Sequence, residues 1–273
     1  MVAHSDTPDP RRSAAFFDVD RTLLRGSSLL HVARPMRRAG MLPTRAMLHS
    51  LVIQARFSLL GFDEAQILDA VRSAGALIAG IDADDLARFA HRTIPVHVLP
   101  RVYGEARTLL DWHRAQGHRV FLVSSSPEQF IAVLGDLLGV DGVVATRARA
   151  VDGRYTGEIL RFCHGPVKAE AVRELAAQHD IDLASSYAYG DSFASDLAML
   201  ALVGHPVAVN PDRALAAEAQ RRGWPIEHFE RLTLRPRTVE LRHLPRSVVR
   251  RSRPMMRRAH GRVRTAARSL RHL

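Results

Sequence analysis

Cysteine is almost missing from this chain: Cys163 stands alone. A single thiol excludes a disulfide framework and fits a reducing compartment, so a cytoplasmic location is expected. No run of roughly 18 apolar residues occurs, which argues against a membrane-spanning helix. The opening residues, MVAHSDTPDPRRS, contain no apolar leader segment. Lysine is scarcer than composition would suggest. Of 39 basic residues 38 are arginine, and Lys168 is the only lysine. Either Lys168 survived an arginine-biased composition by chance, or it occupies a place where a compact ammonium works and a planar guanidinium does not.

Acidic residues are nearly absent from one end. Residues 231–273 hold 14 arginines and one acid, Glu240, a net of 14 − 1 = +13, against +11 for the whole chain. Residues 1–230 are therefore near neutrality, at 11 − 13 = −2. The tail reads as a peripheral contact for an anionic membrane, as a non-specific nucleic-acid contact, or as a solvated extension. It has no Phe, Tyr or Trp on which bases could stack, which makes nucleic acid the weaker functional reading.

The rest has the makings of a sizeable core: 47% of the 273 residues are hydrophobic, enough for one large domain or a domain with an insertion. The most informative stretch is AAFFDVDRTLL, residues 14–24. A short apolar run breaks into Asp18, Val19 and Asp20, as expected of a buried central strand whose C-terminal end opens into a site. On an extended strand the two acids would point the same way and repel. They are either two solvated acids at a strand end or a pair compensated by a cation, for which all-oxygen ligation suits magnesium.

Residues 27–97 show helical periodicity without a convincing strand: Leu29 to Met36, Leu48 to Leu59, a segment from Asp63 to Val71, and another from Asp82 through Phe89. From Pro100 onward helix and strand alternate. A helix over 101–116 leads to strand His118–Val123, which runs into Ser124, Ser125, Ser126 and Pro127. A serine cap with Pro127 at the first helical position would start the next helix there. A short strand, 143–146, precedes a hairpin turning at Asp152-Gly153. A helix from Pro166 carries Lys168 in its first turn. Strand Tyr187–Tyr189 ends in Gly190-Asp191-Ser192, and a helix from Asp196, a strand at 207–209, a helix at 212–222 and a last strand near 225–229 follow. This alternation predicts an α/β fold with a doubly wound parallel sheet.

FFDVDRTL, FLVSSSP, Lys168 in GPVKAEAV and YAYGDSFASDLAML, in that order, resemble the four motifs of the haloacid dehalogenase-like hydrolases. The helical insertion after the first strand resembles the cap of their phosphoserine phosphatase-like branch. That resemblance implies a Rossmann-like core of residues 14–26 and 98–230, a helical cap of residues 27–97, and the basic tail. It implies a magnesium-dependent phosphomonoester hydrolase acting on a small or lipid phosphate through an aspartyl-phosphate. Asp18 would be the nucleophile and Asp20 the general acid and base. Ser124, Ser125 and Lys168 would hold the phosphoryl group. Asp18, Asp191 and the backbone carbonyl of Asp20 would hold Mg2+, supported by Ser195 or Asp196. Phosphoserine phosphatases themselves carry a glutamate nine residues after the nucleophile; here that place is Ser27. A phosphate-binding regulator without turnover, or an adaptor acting through its basic tail, are the competing expectations.

Overall fold

The computed structural model describes residues 12–41, 71–73, 75–230 and 232. The basic tail apart from Leu232 and the periodic segment 48–59 lie outside the described residues, as does nearly all of 63–71.

At the centre is strand β1, Ala14–Asp18, buried at every position. It is flanked by parallel strands on both sides, which is why a continuous apolar run suits it better than an alternating one. In chain order the remaining elements are helix α1 (Ser28–Arg38), α2 (Ala83–Thr93), α3 (Gly104–Ala115), β2 (Arg119–Pro127), α4 (Glu128–Leu138), the pair β3 (Gly142–Val151) and β4 (Arg154–Arg161), α5 (Gly165–Gln178), β5 (Tyr187–Gly190), α6 (Phe193–Leu200), β6 (His205–Val209), α7 (Arg213–Arg222) and β7 (Ile226–Glu227). The seven strands lie in the order β4-β3-β2-β1-β5-β6-β7, and every pairing is parallel except β3 with β4. This is the doubly wound α/β sheet that the strand–helix alternation predicts.

Two cores cover the two faces of the sheet, and β1 feeds both by its two-residue period. Phe17 joins Leu109, Leu110, Phe130 and Tyr189 on one face; Phe16 joins Phe121, Met199 and Leu200 on the other. Phe17 stacks on Tyr189 with centroids 4.3 Å apart, and Phe16 on Phe121 at 5.7 Å. These contacts fix the height of β1 in the sheet, and hence the place where Asp18 emerges.

Between β1 and α3 the described residues contain helices and no strand, in line with the insertion read from the periodicity. Asp82 caps α2, accepting from the backbone N–H groups of Asp84 and Asp85. The β3–β4 hairpin turns at Asp152 and Gly153, both with positive φ (49° and 75°), as a two-residue turn of primed type requires. It reaches back to the start of α2 through Gly80 N–H to Tyr155 O, Tyr155 N–H to Ile81 O, and Ala83 N–H to Gly153 O, at 2.8, 3.0 and 2.8 Å.

Two sequence expectations are corrected. The serine triplet does not cap a helix: β2 runs through Pro127, and α4 starts at Glu128 with no side-chain cap. The cause is a break in the β2–β3 register, where Ser124 pairs with Ala145 and Pro127 with Thr146. Ser125 and Ser126 are squeezed out of the ladder, and such an irregularity redirects side chains. Likewise α6 begins at Phe193, capped by the Ser192 hydroxyl, rather than at Asp196.

Candidate active site

β1, β2 and β5 deliver their C-terminal ends to one place, and α5 sends a side chain into it. Asp18 closes β1, Ser124 lies in the irregular end of β2, Asp191 follows β5, and Asp196 and Lys168 sit in the first turns of α6 and α5. The Lys168 ammonium is completely buried, 2.7 Å from Asp18 Oδ1 and 2.7 Å from Asp196 Oδ1. Asp196 uses its other oxygen to accept the N–H groups of Asp191 and Ser192, each at 3.0 Å. Its carboxylate is thus fully engaged. Gly190 permits this closeness, since a Cβ there would come within 2.6 Å of the Asp196 Cβ.

Asp20 departs from the simple strand picture. β1 ends at Asp18, the chain turns through Arg21 at a φ of 68°, and the N–H groups of Leu23 and Leu24 close back on the Val19 carbonyl. The Asp20 carboxylate faces the start of α1, accepting from Ser28 N–H at 2.8 Å, Ser27 Oγ at 3.3 Å and Ser126 Oγ at 3.2 Å. The sequence reading missed Ser126 and Ser28 as its partners. It missed Arg21 as well, whose Nε lies 2.7 Å from Asp191 Oδ2. Position gave a signal for both: Arg21 directly follows the acid pair, and Ser126 completes the serine triplet.

The remaining expected residues separate by their contacts. Ser124 is buried and its hydroxyl accepts from Ser126 N–H at 3.1 Å. The Ser125 hydroxyl donates to the Cys163 carbonyl at 2.8 Å. Ser195 donates its N–H to the capping Ser192 hydroxyl at 3.4 Å, so its backbone serves the helix start while Asp196 meets Lys168. His164, at the start of α5 and stacked on Phe162, is pushed down to about 4 by burial and by the Lys168 charge, which makes it neutral at pH 7.

Too many carboxylates converge here for the positive charge at hand. Asp18, Asp191 and Asp196 can bring one oxygen each within 4.8 Å of one another, all three buried. Burial raises Asp18 from 3.8 to about 7, the Asp196 charge adds to the rise, and Lys168 opposes it. Asp191 is raised by burial and by both neighbouring acids. Burial would raise Asp196 too, but the Lys168 ammonium and the two backbone N–H groups outweigh it and hold this carboxyl below its ordinary value. For Lys168 the two acids outweigh burial and raise the ammonium above its usual range. Among the described residues Asp18 Oδ2 is a buried acceptor with no hydrogen-bond partner. An orphaned carboxylate oxygen beside a second raised carboxyl is what a hard divalent cation would relieve, so the residues fit a magnesium-type ion. Asp18 and Asp191 would be its ligands, because both oxygens of Asp196 are spent.

A doubly wound sheet whose central strand ends in a buried carboxylate facing a lysine defines an α/β protein with a charged site at its strand ends. The family comparison makes it specific. Residues 15–201 match the profile of the haloacid dehalogenase-like hydrolases, and the chain belongs to that family. It is 42% identical over 221 residues to an "inhibition of morphological differentiation protein" of Streptomyces azureus, covering 81% of this chain and 79% of that one. It is 36% identical over 232 residues to phosphoserine phosphatase SerB1 of Mycobacterium tuberculosis, covering 84% and 75%. A solved structure of a Bordetella pertussis Tohama I protein of unknown function is similar with a TM-score of 0.68 at 27% identity, covering 79% of this chain and 98% of that one.

Two measurements test this electrostatic account. Asp18 binds its proton more tightly in the folded chain, so its contribution to stability is complete below pH 3.8 and gone once pH passes about 7. Asp191 shifts the same way. Asp196, shifted down, contributes above its unfolded value and is lost only in stronger acid. Chelator-treated protein should therefore melt at a lower temperature at pH 7.5 than at pH 5, and a divalent cation should recover more at pH 7.5. A flat profile in calorimetry would contradict it. Lys168→Arg keeps the charge but adds volume to a fully buried site, and should cost about 1–3 kcal/mol in urea unfolding.

Proposed function

We propose that this protein is a magnesium-dependent phosphomonoesterase that works through a phospho-Asp18 intermediate on a small or lipid phosphate. One observation carries the reading: Asp18 has one oxygen on a buried lysine and the other, also buried, without a hydrogen-bond partner among the described residues. A buried carboxylate oxygen left without a hydrogen bond keeps its lone pairs for a cation or for phosphorus, and the proposed reaction needs Asp18 to meet both.

In the first step Asp18 attacks phosphorus and the bond from phosphorus to the leaving oxygen breaks. Asp20 gives its proton to that oxygen, and the alcohol departs. In the second step Asp20, now ionised, takes a proton from water as the water oxygen attacks the same phosphorus. The Asp18–phosphorus bond breaks and inorganic phosphate is released. Lys168 holds Asp18 in line and balances the negative charge that gathers around phosphorus, with Ser124 and backbone N–H groups at the end of β2 meeting phosphoryl oxygens. A magnesium ion on Asp18, Asp191 and the Asp20 carbonyl would add charge stabilisation. Residues 14–26 and 98–230 form the catalytic core in this reading, and residues 27–97 form the cap that selects substrate.

The name of the M. tuberculosis relative favours free phosphoserine. Ser27 favours another phosphate ester: it carries no charge to meet an amine, and its hydroxyl already faces Asp20. The 14 arginines of residues 231–273 support a second, separable property, salt-sensitive association with anionic membranes.

Asp18→Asn should abolish hydrolysis across a panel of phosphate esters, as should EDTA, the latter reversibly. In the same panel kcat/KM for phosphoserine should fall below that for at least one uncharged or lipid phosphate. Wild-type turnover by the asparagine variant would reject the mechanism, and a clear preference for phosphoserine would reject the substrate reading. Removing residues 231–273 should leave hydrolysis intact and reduce sedimentation with phosphatidylserine vesicles at low salt; equal sedimentation would remove the membrane reading.

A further inference from the structure

Unlike Asp18 and Asp196, Asp20 is held by no regular element. It lies beyond the end of β1, in a turn whose next residue has a positive φ, and its backbone pairs only through an isolated bridge to Leu24. Its side chain is nonetheless defined by donors from two separate parts of the chain. From the first turn of α1 come the Ser28 N–H, 2.8 Å from Oδ1, and the Ser27 hydroxyl, 3.3 Å from Oδ2. From the irregular end of β2 comes the Ser126 hydroxyl, 3.2 Å from Oδ2. The two parts are themselves joined, because Ser28 Oγ and Ser126 Oγ are 2.8 Å apart. Ser28 and Ser126 are 1% and 2% exposed, so no solvent stands ready to replace either hydroxyl.

We propose that the buried hydroxyl pair Ser28–Ser126 is a positioning device for Asp20: it aims the carboxyl at the leaving oxygen and makes proton delivery depend on α1 being seated against the end of β2. The inference rests on the acid–base role given to Asp20 above. Its chemistry follows from the partners. The Ser28 N–H can only donate and so fixes Oδ1 in one place. Hydroxyls both donate and accept, so Ser126 and Ser28 can reverse their bond as Asp20 gains or loses its proton, without leaving a buried polar group unpaired. A backbone amide or a lysine in the place of Ser126 could not follow that change. The register break in β2 gives the arrangement its sequence signature, since it is what frees Ser126 from the ladder.

A plainer role is open to the same contacts. The formal cap of α1, Ser27, makes no side-chain cap bond, and the Asp20 carboxylate serves the first N–H instead. The pair could then merely steady a helix end. Leaving-group dependence separates the two roles. Departure of an alkoxide needs protonation, whereas para-nitrophenolate leaves without much help, and kcat/KM reports the step in which that bond breaks. General acid catalysis is worth about 100–10,000-fold, and imperfect aim should forfeit part of it. Ser126→Ala and Ser28→Ala should each lower kcat/KM for an alkyl phosphate about tenfold or more, and that for para-nitrophenyl phosphate by less than about threefold. KM should change little, Ser126→Thr should recover most of the alkyl activity, and Asp20→Asn should show the same discrimination more strongly. Equal losses on both esters, following the melting temperature, would overturn the proposal in favour of the helix-end role. Discrimination by Asp20→Asn but by neither alanine variant would overturn it while leaving the acid–base reading in place. No discrimination by Asp20→Asn would reject both.

Discussion

The structure depends on one electrostatic constraint: three buried carboxylates share a space in which one lysine is the buried cation. Lys168 takes an oxygen from Asp18 and another from Asp196 at equal distance. That geometry leaves Asp191 to Arg21, which is partly solvated, and leaves one oxygen of Asp18 without a hydrogen bond. Removing charged groups from water is costly, and a buried ion pair repays it only when the remaining lone pairs are also satisfied. Asp196 meets that condition through two backbone N–H groups, and its carboxyl is shifted down accordingly. Asp18 and Asp191 do not meet it and are shifted up. The same chemistry thus divides three identical side chains into one that builds the site and two that keep capacity to bind.

The architecture enforces that division by aligning strand ends. β1 is flanked on both sides and packed on both faces, with Phe16 and Phe17 locked in opposite cores, so Asp18 has almost no freedom to move. Asp191 and Asp196 are tied to each other through the N–H of one and the carboxylate of the other, across a glycine whose missing Cβ makes room. Fixed backbone on either side can hold charges close together that a free loop would let relax into water.

The parts of the site that run along strands and helices were legible in the sequence. AAFFD announces a central strand, and the Gly190-Asp191 junction a strand end. What could not be read was where side chains go once the regular period stops. β1 ends at Asp18, so the strand period does not carry through to Asp20, whose carboxylate is placed instead by Ser27, Ser28 and Ser126. The serine triplet resembles a helix cap because Ser-Pro before an amphipathic run usually is one. Whether a residue pairs in a ladder or is expelled from it depends on the neighbouring strand, which a single sequence does not reveal. The spacing after Asp191 leaves both Ser195 and Asp196 eligible; both are buried, and the reach of one lysine sets Asp196 apart.

That lysine also connects composition with geometry. In a chain with 38 arginines, a position that tolerated either cation had every opportunity to carry arginine. Lys168 is wholly enclosed, and it presents one nitrogen to two carboxylate oxygens at 2.7 Å each. An ammonium satisfies that demand because its three protons radiate from a single atom and can be shared between two acids. A guanidinium spreads its charge over a plane and prefers a carboxylate that meets two of its N–H groups side by side. To do so here it would have to turn toward one acid and abandon the other, leaving a buried carboxylate uncompensated. The crowding of acids around this ammonium thus gives a physical reason for position 168 to carry the chain's one lysine.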